Sequence, residues 1–464
     1  MSGKSDVSNI SSKHVHLIGI GGAGLSAIAR VLLERGVEVS GSDLVMSPVA
    51  KALARDGAQV SEGHAAGNVN GADVVVFSSA VPEDNVEIQA ARSAGIPVVG
   101  RPAFLGRLME GKRGVAVAGT HGKTTTTAMI VSILLAAGRD PTFVVGGVLA
   151  GLETNARAGM EPLFVIEADE YDCTFLSLAP EVAVVTNVEH DHPDCYPTFE
   201  DFREAFEEFV ELVPDGGLLA VCWDDPVARQ IGEQQADAKP VTFFGLEEGA
   251  AWRAEEISTN FAGGIDFLAV RNGETLGLVR LRVPGAHNGS NALAALAVTD
   301  FLGVPFRTAR EALTEFRGVA RRFEVKGEAG GVVVVDDYAH HPTEIRATLR
   351  AAKERFPDRR IWAVWQPHTY SRTKALLPEF AACFDDADEV IVLPIYAARE
   401  TDALGVSAER VAEAMDHHGV RAAASMEEAL TWLGTEVGSG DVVLTLGAGD
   451  GDLVGEWLLE ILRE

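Results

Sequence analysis

Positive charge is scarce in this 464-residue chain: 39 Lys and Arg stand against 68 Asp and Glu, a formal net charge of −29. A phosphate backbone is neutralised by Lys and Arg in excess, so nucleic acid is excluded as a partner. Cysteine is scarce too, with only Cys173, Cys195, Cys222 and Cys383 and no CxxC pair. That excludes a disulfide framework or a thiolate zinc site and fits a reducing compartment. No apolar run approaches the ~18 residues of a membrane helix. Met1 to His14 is polar and lacks the apolar core of a signal peptide. The expectation is a cytoplasmic protein without membrane insertion. What the chain does have is 47% hydrophobic residues, enough for a sizeable core. Its length suggests about three domains.

The most informative stretch is Gly119-Thr120-His121-Gly122-Lys123-Thr124. Apolar Val115 to Ala118 precede it and a helix-compatible run, Thr125 to Ala137, follows. A strand, a tight glycine turn and a helix N-terminus make a phosphate cradle, in which backbone N–H groups and the helix dipole face the anion. Lys123 can reach the β- and γ-phosphates and the Thr124 hydroxyl can ligate Mg²⁺. Val117 stands where the strict P-loop spacing has glycine, so this is a shortened variant.

Two further Gly-rich turns follow apolar runs, at Gly19-Ile20-Gly21-Gly22-Ala23-Gly24 and at Gly447-Ala448-Gly449-Asp450. Strand-like runs alternating with amphipathic segments predict βαβ units and mainly parallel sheets in an α/β chain. Strands are expected near 15–20, 37–41, 74–77 and 97–99, then 114–118, 163–167, 182–186 and 218–222, and last 332–336, 361–365, 389–393 and 442–446. The stretch 241–283, broken by Gly263-Gly264 and Asn272-Gly273, reads as antiparallel hairpins. Boundaries near Leu108–Gly114 and Arg317–Arg322 divide the chain into 1–110, 111–319 and 320–464.

Gly19-x-Gly21-x-x-Gly24, with Asp43 19 residues on, satisfies a dinucleotide fingerprint. It could hold NAD, which would suit an oxidoreductase, or equally the diphosphate of a UDP-sugar; the Lys123-Thr124 pair opposes the former. Leu163 to Ile166 is an apolar run ending in acids, so Glu167 or Glu170 could ligate Mg²⁺ beside the phosphate loop. Thr186-Asn187-Val188-Glu189-His190-Asp191-His192 follows another such run and suits a hard cation with one imidazole rather than zinc. Asp336-Asp337-Tyr338-Ala339-His340-His341-Pro342 and Gln366-Pro367-His368-Thr369-Tyr370-Ser371-Arg372 also end strand-like runs, where open α/β sheets bind ligands. His417-His418 reads as a solvated helix end.

Together with His287-Asn288-x-x-Asn291-Ala292 and Arg321-Arg322-Phe323, these ordered motifs resemble the Mur ligases, ATP-dependent amide-forming enzymes of peptidoglycan synthesis, over essentially the whole chain. The resemblance implies a Rossmann-like UDP-sugar domain, a central P-loop ATPase domain and a Rossmann-like C-terminal domain that brings the amino acid. It implies ATP, UDP-N-acetylmuramate and L-alanine as substrates, an acyl phosphate on the lactoyl carboxylate, and a monomer or homodimer. Two Mg²⁺ ions, replaceable by Mn²⁺, are implied, the first on Thr124 and Glu170 and the second on His192 with Glu170. No lysine lies between Lys123 and Lys239, so the carbamylated lysine of several sister ligases has no counterpart.

Carried over position by position, Lys123 holds the β- and γ-phosphates within the loop Gly119, Thr120, Gly122, Thr124 and Thr125, and His121 faces the substrate. His287, Asn288 and Asn291 contact the adenine side and Arg322 the phosphates. Tyr338, His340 and Arg372 shape the alanine pocket, with Arg372 the carboxylate anchor. Gly19, Gly21, Gly22, Gly24, Asp43, His64 and Ser79 line the UDP site. Two departures stand out: Ala339 replaces a glycine and adds a Cβ expected beside the alanine pocket, and Thr369-Tyr370-Ser371 varies a loop usually richer in Arg. The nearest rival within the family is the recycling ligase that attaches a whole tripeptide to the same UDP-sugar.

Overall fold

The computed structural model describes residues 13–463, which form three α/β units, each built on its own sheet. The first sheet is wholly parallel, in the order Gln59–Glu62, Glu38–Asp43, His14–Ile18, Val74–Phe77, Val98–Gly100. Its chain order reverses at His14–Ile18, and such switch points open a crevice at the carboxyl ends of the strands. Gly19, Asp43, His64 and Ser79 all lie at or just beyond those ends.

The central sheet has ten strands, and its topology explains the convergence of the motifs. Arg113–Ala118, which carries the phosphate loop, pairs in parallel with Leu163–Glu167 on one side and Pro180–Val185 on the other. Val117 is in register with Glu167, and Ala118 with Val185. Both acidic motifs therefore leave the sheet beside the loop. The helix Lys123–Ala136 is buried nearly all round, against the sheet and the helix Ala286–Phe301. That helix brings His287, Asn288 and Asn291 to the loop with its N-terminal turns.

The third sheet runs Glu324–Ala329, Val332–Asp337, Val442–Leu446, Ile361–Trp365, Glu389–Val392, Val420–Ala422, parallel except for its first strand. Trp362 and Trp365 lie fully buried on opposite faces of it.

Several expectations need correction. Val241–Gly245 does not form a hairpin: it pairs in parallel with Leu218–Cys222 and then with Trp252–Thr259. Only the remainder, Trp252–Thr259, Ile265–Arg271 and Glu274–Arg280, is an antiparallel meander. Its last turn has Asn272 at φ 51° and Gly273 at φ 82°, the left-handed pair of a two-residue hairpin. The strands Gln59–Glu62, Thr142–Leu149, Thr154–Arg157, Glu324–Ala329 and Val420–Ala422 were not anticipated. Four are edge strands, where one-sided burial weakens the apolar pattern, and Gly146-Gly147 interrupts the fifth, Thr142–Leu149. His417 sits in the loop after the helix Ala408–Ala414, half-buried on the Ala387 carbonyl at 3.0 Å, and only His418 of the pair is exposed.

Candidate active site

Two cavities flank the phosphate loop. One, of about 410 Å³, lies between the central and third units and is lined by Gly122, Thr124, Thr125, Asn288, Asn291 and Arg322, with His121 and His287 also on its wall. The other, of about 470 Å³, is lined by Gly24, Thr120, Lys123, Glu170, His192 and Tyr338, and also by Arg322 and His340. The first joins two units and the second all three.

At the loop, Gly122 adopts φ 80°, open to glycine without strain, and a Cβ there would meet Asn291 Oδ1 at 2.6 Å. Gly119 is packed against Thr186, and the Asn187 side chain accepts from the His121 amide at 2.8 Å. Lys123 Nζ donates to the Thr120 carbonyl at 3.0 Å and to Glu170 Oε1 at 2.9 Å. Burial opposes its charge, but Glu170 more than compensates, and its pKa is raised. Burial likewise opposes the Glu170 charge, yet Lys123 and His192 hold the carboxyl below its usual range. His192 Nε2 is 3.5 Å from Glu170 Oε1.

The Thr124 hydroxyl donates to Glu167 Oε1 at 3.0 Å, and Glu167 Oε2 takes the Gly146 amide at 2.6 Å. Thr124 and Glu170 are thus not directly joined; Glu167 stands between the hydroxyl and the sheet. Glu170 Oε2 is buried without a hydrogen-bond partner. A hydroxyl, carboxylates and one unsatisfied buried oxygen are hard donors, and this set fits Mg²⁺.

Arg322 reaches Thr124 Oγ1 and Glu344 Oε1, each at 3.5 Å, and its guanidinium lies 5.1 Å from the centre of the Tyr338 ring. Its neighbour Arg321 turns away, onto Asp336 at 2.8 Å and the carbonyls of Gly447 and Gly449. The third Gly-rich turn is further occupied by Gln366, which bonds Asp450 and the Gly451 amide. It braces the protein itself.

Sequence reasoning left the acids of the third unit unassigned. Glu344 is largely enclosed and within 3.5 Å of His121, His340 and Arg322. Burial would raise its pKa, but its contacts with His340, His121 and Arg322 hold it well below the usual carboxylate range. His121 is likewise opposed by burial but raised to about 9 by Glu189 and Glu344. Burial lowers His340 to about 3, His287 to about 4 and His341 to about 4. The signal for Glu344 was its place in His341-Pro342-Thr343-Glu344, a helix-capping pattern whose N3 acid also faces the cleft.

Arg372 is engaged within the protein itself. Its Nε and Nη2 grip Asp191 at 2.8 and 3.2 Å, both side chains nearly fully buried, and Nη1 faces His368 Nδ1 at 3.1 Å. Arg372 is thus a strut between the central and third units, with three of its five N–H donors engaged there. Ala339 departs from expectation: it is fully buried, with its methyl among Val335, Ile345 and Leu349 rather than in the cleft. Non-glycine residues with positive φ gather here, at His192 (54°), Arg321 (59°), Phe323 (48°) and Thr369 (63°), strain that the surrounding bonds must hold.

In the first unit, Gly19, Gly21, Gly22, Asp43, His64 and Ser79 form a separate group at the sheet's carboxyl edge. Asp43 Oδ2 accepts from the Gly21 amide at 2.8 Å. His64 Nδ1 meets Ser42 Oγ at 3.0 Å. Gly24 lies against Arg101, which reaches Asp169 Oδ2 and Thr174 Oγ1, each at 3.1 Å, and so links this unit to the central one. Arg101 carried no motif signal.

Three family descriptions match the chain in order: "Mur ligase family, catalytic domain" over residues 14–113, "Mur ligase middle domain" over 117–299 and "Mur ligase, glutamate ligase domain" over 321–449. The chain is 45% identical over 451 residues to a UDP-N-acetylmuramate--L-alanine ligase from Caldanaerobacter subterraneus, covering 97% of each. It is 46% identical over 454 residues to one from a Geobacter species, covering 97% of this chain and 98% of the other. Among solved structures it is similar to the UDP-N-acetylmuramate-alanine ligase MurC of Thermotoga maritima, at 30% identity and TM-score 0.82, covering 97% of this chain and 98% of that one. A murein peptide ligase from Psychrobacter arcticus is similar at 27% identity and TM-score 0.74, covering 97% and 99%.

Proposed function

Because the chain belongs to the Mur ligase family, we propose that it joins L-alanine to the lactoyl carboxylate of UDP-N-acetylmuramate, with ATP as phosphoryl donor. The observation that carries this reading is the cavity in which Lys123 and Glu170 face Tyr338 and His340 beside Gly24, so that one space is shared by all three units. We assign residues 1–110 to the UDP-sugar, 111–319 to ATP and 320–464 to the amino acid. The diphosphate lies over the Gly19 to Gly24 turn, the helix N-terminus Ala23–Glu34 and Arg101. ATP lies in the neighbouring cavity, its base toward His287, Asn288 and Asn291 and its phosphates on Gly119 to Thr125.

A carboxylate is a poor electrophile, and phosphorylation supplies the missing leaving group. A lactoyl oxygen bonds to the γ-phosphorus as the bond to ADP breaks, giving the acyl phosphate. The neutral amine of L-alanine then adds to the acyl carbon, and the tetrahedral intermediate collapses with loss of phosphate and a proton. Charge grows on the phosphoryl oxygens in the first step, where Lys123 and Arg322 are aimed. Mg²⁺, or Mn²⁺ in its place, would be held by Thr124, Glu170 and His192 with Glu167 beside them, and supplies neutralisation of the phosphate charge. Tyr338 and His340 wall the amino-acid space, and the neutral His340 adds no charge to it. The reading places the enzyme in the cytoplasm, where both nucleotides are made, as a monomer or homodimer, since one chain supplies every group named.

The test is phosphate release with ATP, Mg²⁺, UDP-N-acetylmuramate and L-alanine, in the native protein and in Lys123→Ala. We expect release that depends on all four components and falls by about 10²–10³-fold or more in the variant. Near-normal turnover in Lys123→Ala would remove the phosphate-loop assignment.

A further inference from the structure

Beside the phosphate loop, three donor side chains converge from two units. His121 Nε2 is 3.1 Å from Glu189 Oε2, and His341 Nδ1 is 3.5 Å from that same oxygen. The two imidazole rings lie 4.5 Å apart between centroids. Among the described residues this is the group of three His, Cys, Asp or Glu whose donor atoms all fall within 4.8 Å of one another. A tetrahedral ion with bonds of about 2.0–2.1 Å separates its ligand atoms by roughly 3.3 Å, close to the spacing found here.

The groups behind these donors are arranged as a metal site needs. Glu344 Oε1 lies 3.4 Å from His121 Nδ1, the carboxylate–imidazole pairing that fixes the ring and turns Nε2 toward an ion. The Thr343 hydroxyl donates to Glu189 Oε2 at 2.7 Å and orients that carboxylate. His341 is buried, and its Nδ1 lone pair accepts a long 3.3 Å bond from the Thr343 amide, which a bound ion would displace.

We propose that His121, Glu189 and His341 form a second metal site, for a borderline divalent ion such as Zn²⁺, which pins the third unit to the central one and inhibits turnover. Two imidazoles and one carboxylate select Zn²⁺ over Mg²⁺, which prefers an all-oxygen shell. The ion replaces the proton on His121, and that proton passes to solvent. His121 and Glu189 belong to the central unit and His341 to the third, so a bound ion crosslinks the wall of the nucleotide cavity. On the ligase reading the nucleotide leaves past that wall, and a crosslink across it slows release. Binding of the ion stands on the geometry of the three donors, and its effect on turnover rests on the ligase reading.

Zn²⁺ titrated by calorimetry into the full-length protein in excess Mg²⁺ should bind one ion per chain. His341→Asn removes the imidazole while Asn still caps the helix Pro342–Arg355, as His341 does. Circular dichroism checks that this variant folds. We expect its Zn²⁺ affinity to fall at least about tenfold, the loss typical even of an outer-shell partner. Co²⁺ in place of Zn²⁺ should give the visible absorption of a four-coordinate site in the native protein and not in His341→Asn. Glu170→Gln should leave both signals in place. Zn²⁺ should also slow phosphate release more in the native protein than in His341→Asn. The proposal is overturned if no stoichiometric Zn²⁺ binds, if His341→Asn binds it as tightly as the native protein, or if Glu170→Gln abolishes binding.

Discussion

Glu87 shows what a single enclosed residue contributes. It has no solvent exposure, and burial alone would raise its pKa. Hydrogen bonds from His16, Ser42, Asn68 and the Ala65 amide outweigh that and bring it from 4.5 to about 2. A depressed carboxylate stabilises the fold above its unfolded pKa and loses that contribution as pH falls through the folded one. The shift corresponds to about 3 kcal/mol. Glu87→Gln should therefore unfold at lower urea near neutral pH, and the gap to the native protein should close between pH 4.5 and about 2. A gap that stayed constant over that range would mean the effect is packing rather than charge. The same network holds His64 through Ser42, so the variant should also weaken binding of the UDP-sugar.

The element that matters most is the turn between Arg113–Ala118 and Lys123–Ala136. Gly122→Ala places an L residue at φ 80° and sets its Cβ against Asn291. A left-handed L residue costs about 1–2 kcal/mol before any clash. We expect a loss of that size in urea unfolding, with weaker ADP binding by calorimetry; unchanged ADP affinity would show that the turn is not the cradle. A second element is the short helix Tyr370–Ala375, tied to the central unit by Arg372 and Asp191. Arg372→Lys keeps the charge but loses the fork. In kcat/KM for L-alanine, Arg372→Lys and Asp191→Asn should be non-additive by about 0.5–3 kcal/mol, as expected for two ends of one contact. Additive effects would return Arg372 to the substrate.

At the scale of the whole molecule, the question is which amine the third unit brings. Tyr338 and His340 narrow the space facing Lys123, their rings 5.4 Å apart. A tripeptide needs an open cleft there, whereas a methyl side chain does not. One methylene in such a pocket is worth about 1–3 kcal/mol, so glycine and L-serine should be slow substrates rather than inert ones. The measurement is kcat/KM for L-alanine, glycine, L-serine and L-alanyl-γ-D-glutamyl-diaminopimelate with the same UDP-sugar. Preference for the tripeptide would move the reading to a murein peptide ligase.

The phosphate loop and the acids of Leu163 to Glu170 were legible from the chain alone, because glycine turns and strand-ending polar clusters are local in sequence, whereas His287, Asn288 and Asn291 were singled out only by the family resemblance. The alternation of strand and helix that makes three α/β units was equally legible. Edge strands escaped because one-sided burial leaves little pattern, and Val241–Gly245 because parallel or antiparallel pairing depends on which strand lies alongside. Partnership was decided only in three dimensions. Thr124 meets Glu167 rather than Glu170, Arg372 meets Asp191 across 181 residues, and the Ala339 methyl turns into the core. A motif names the groups that chemistry needs. Which of them a charge neutralises is set by distance and burial, and those exist only once the units have packed together.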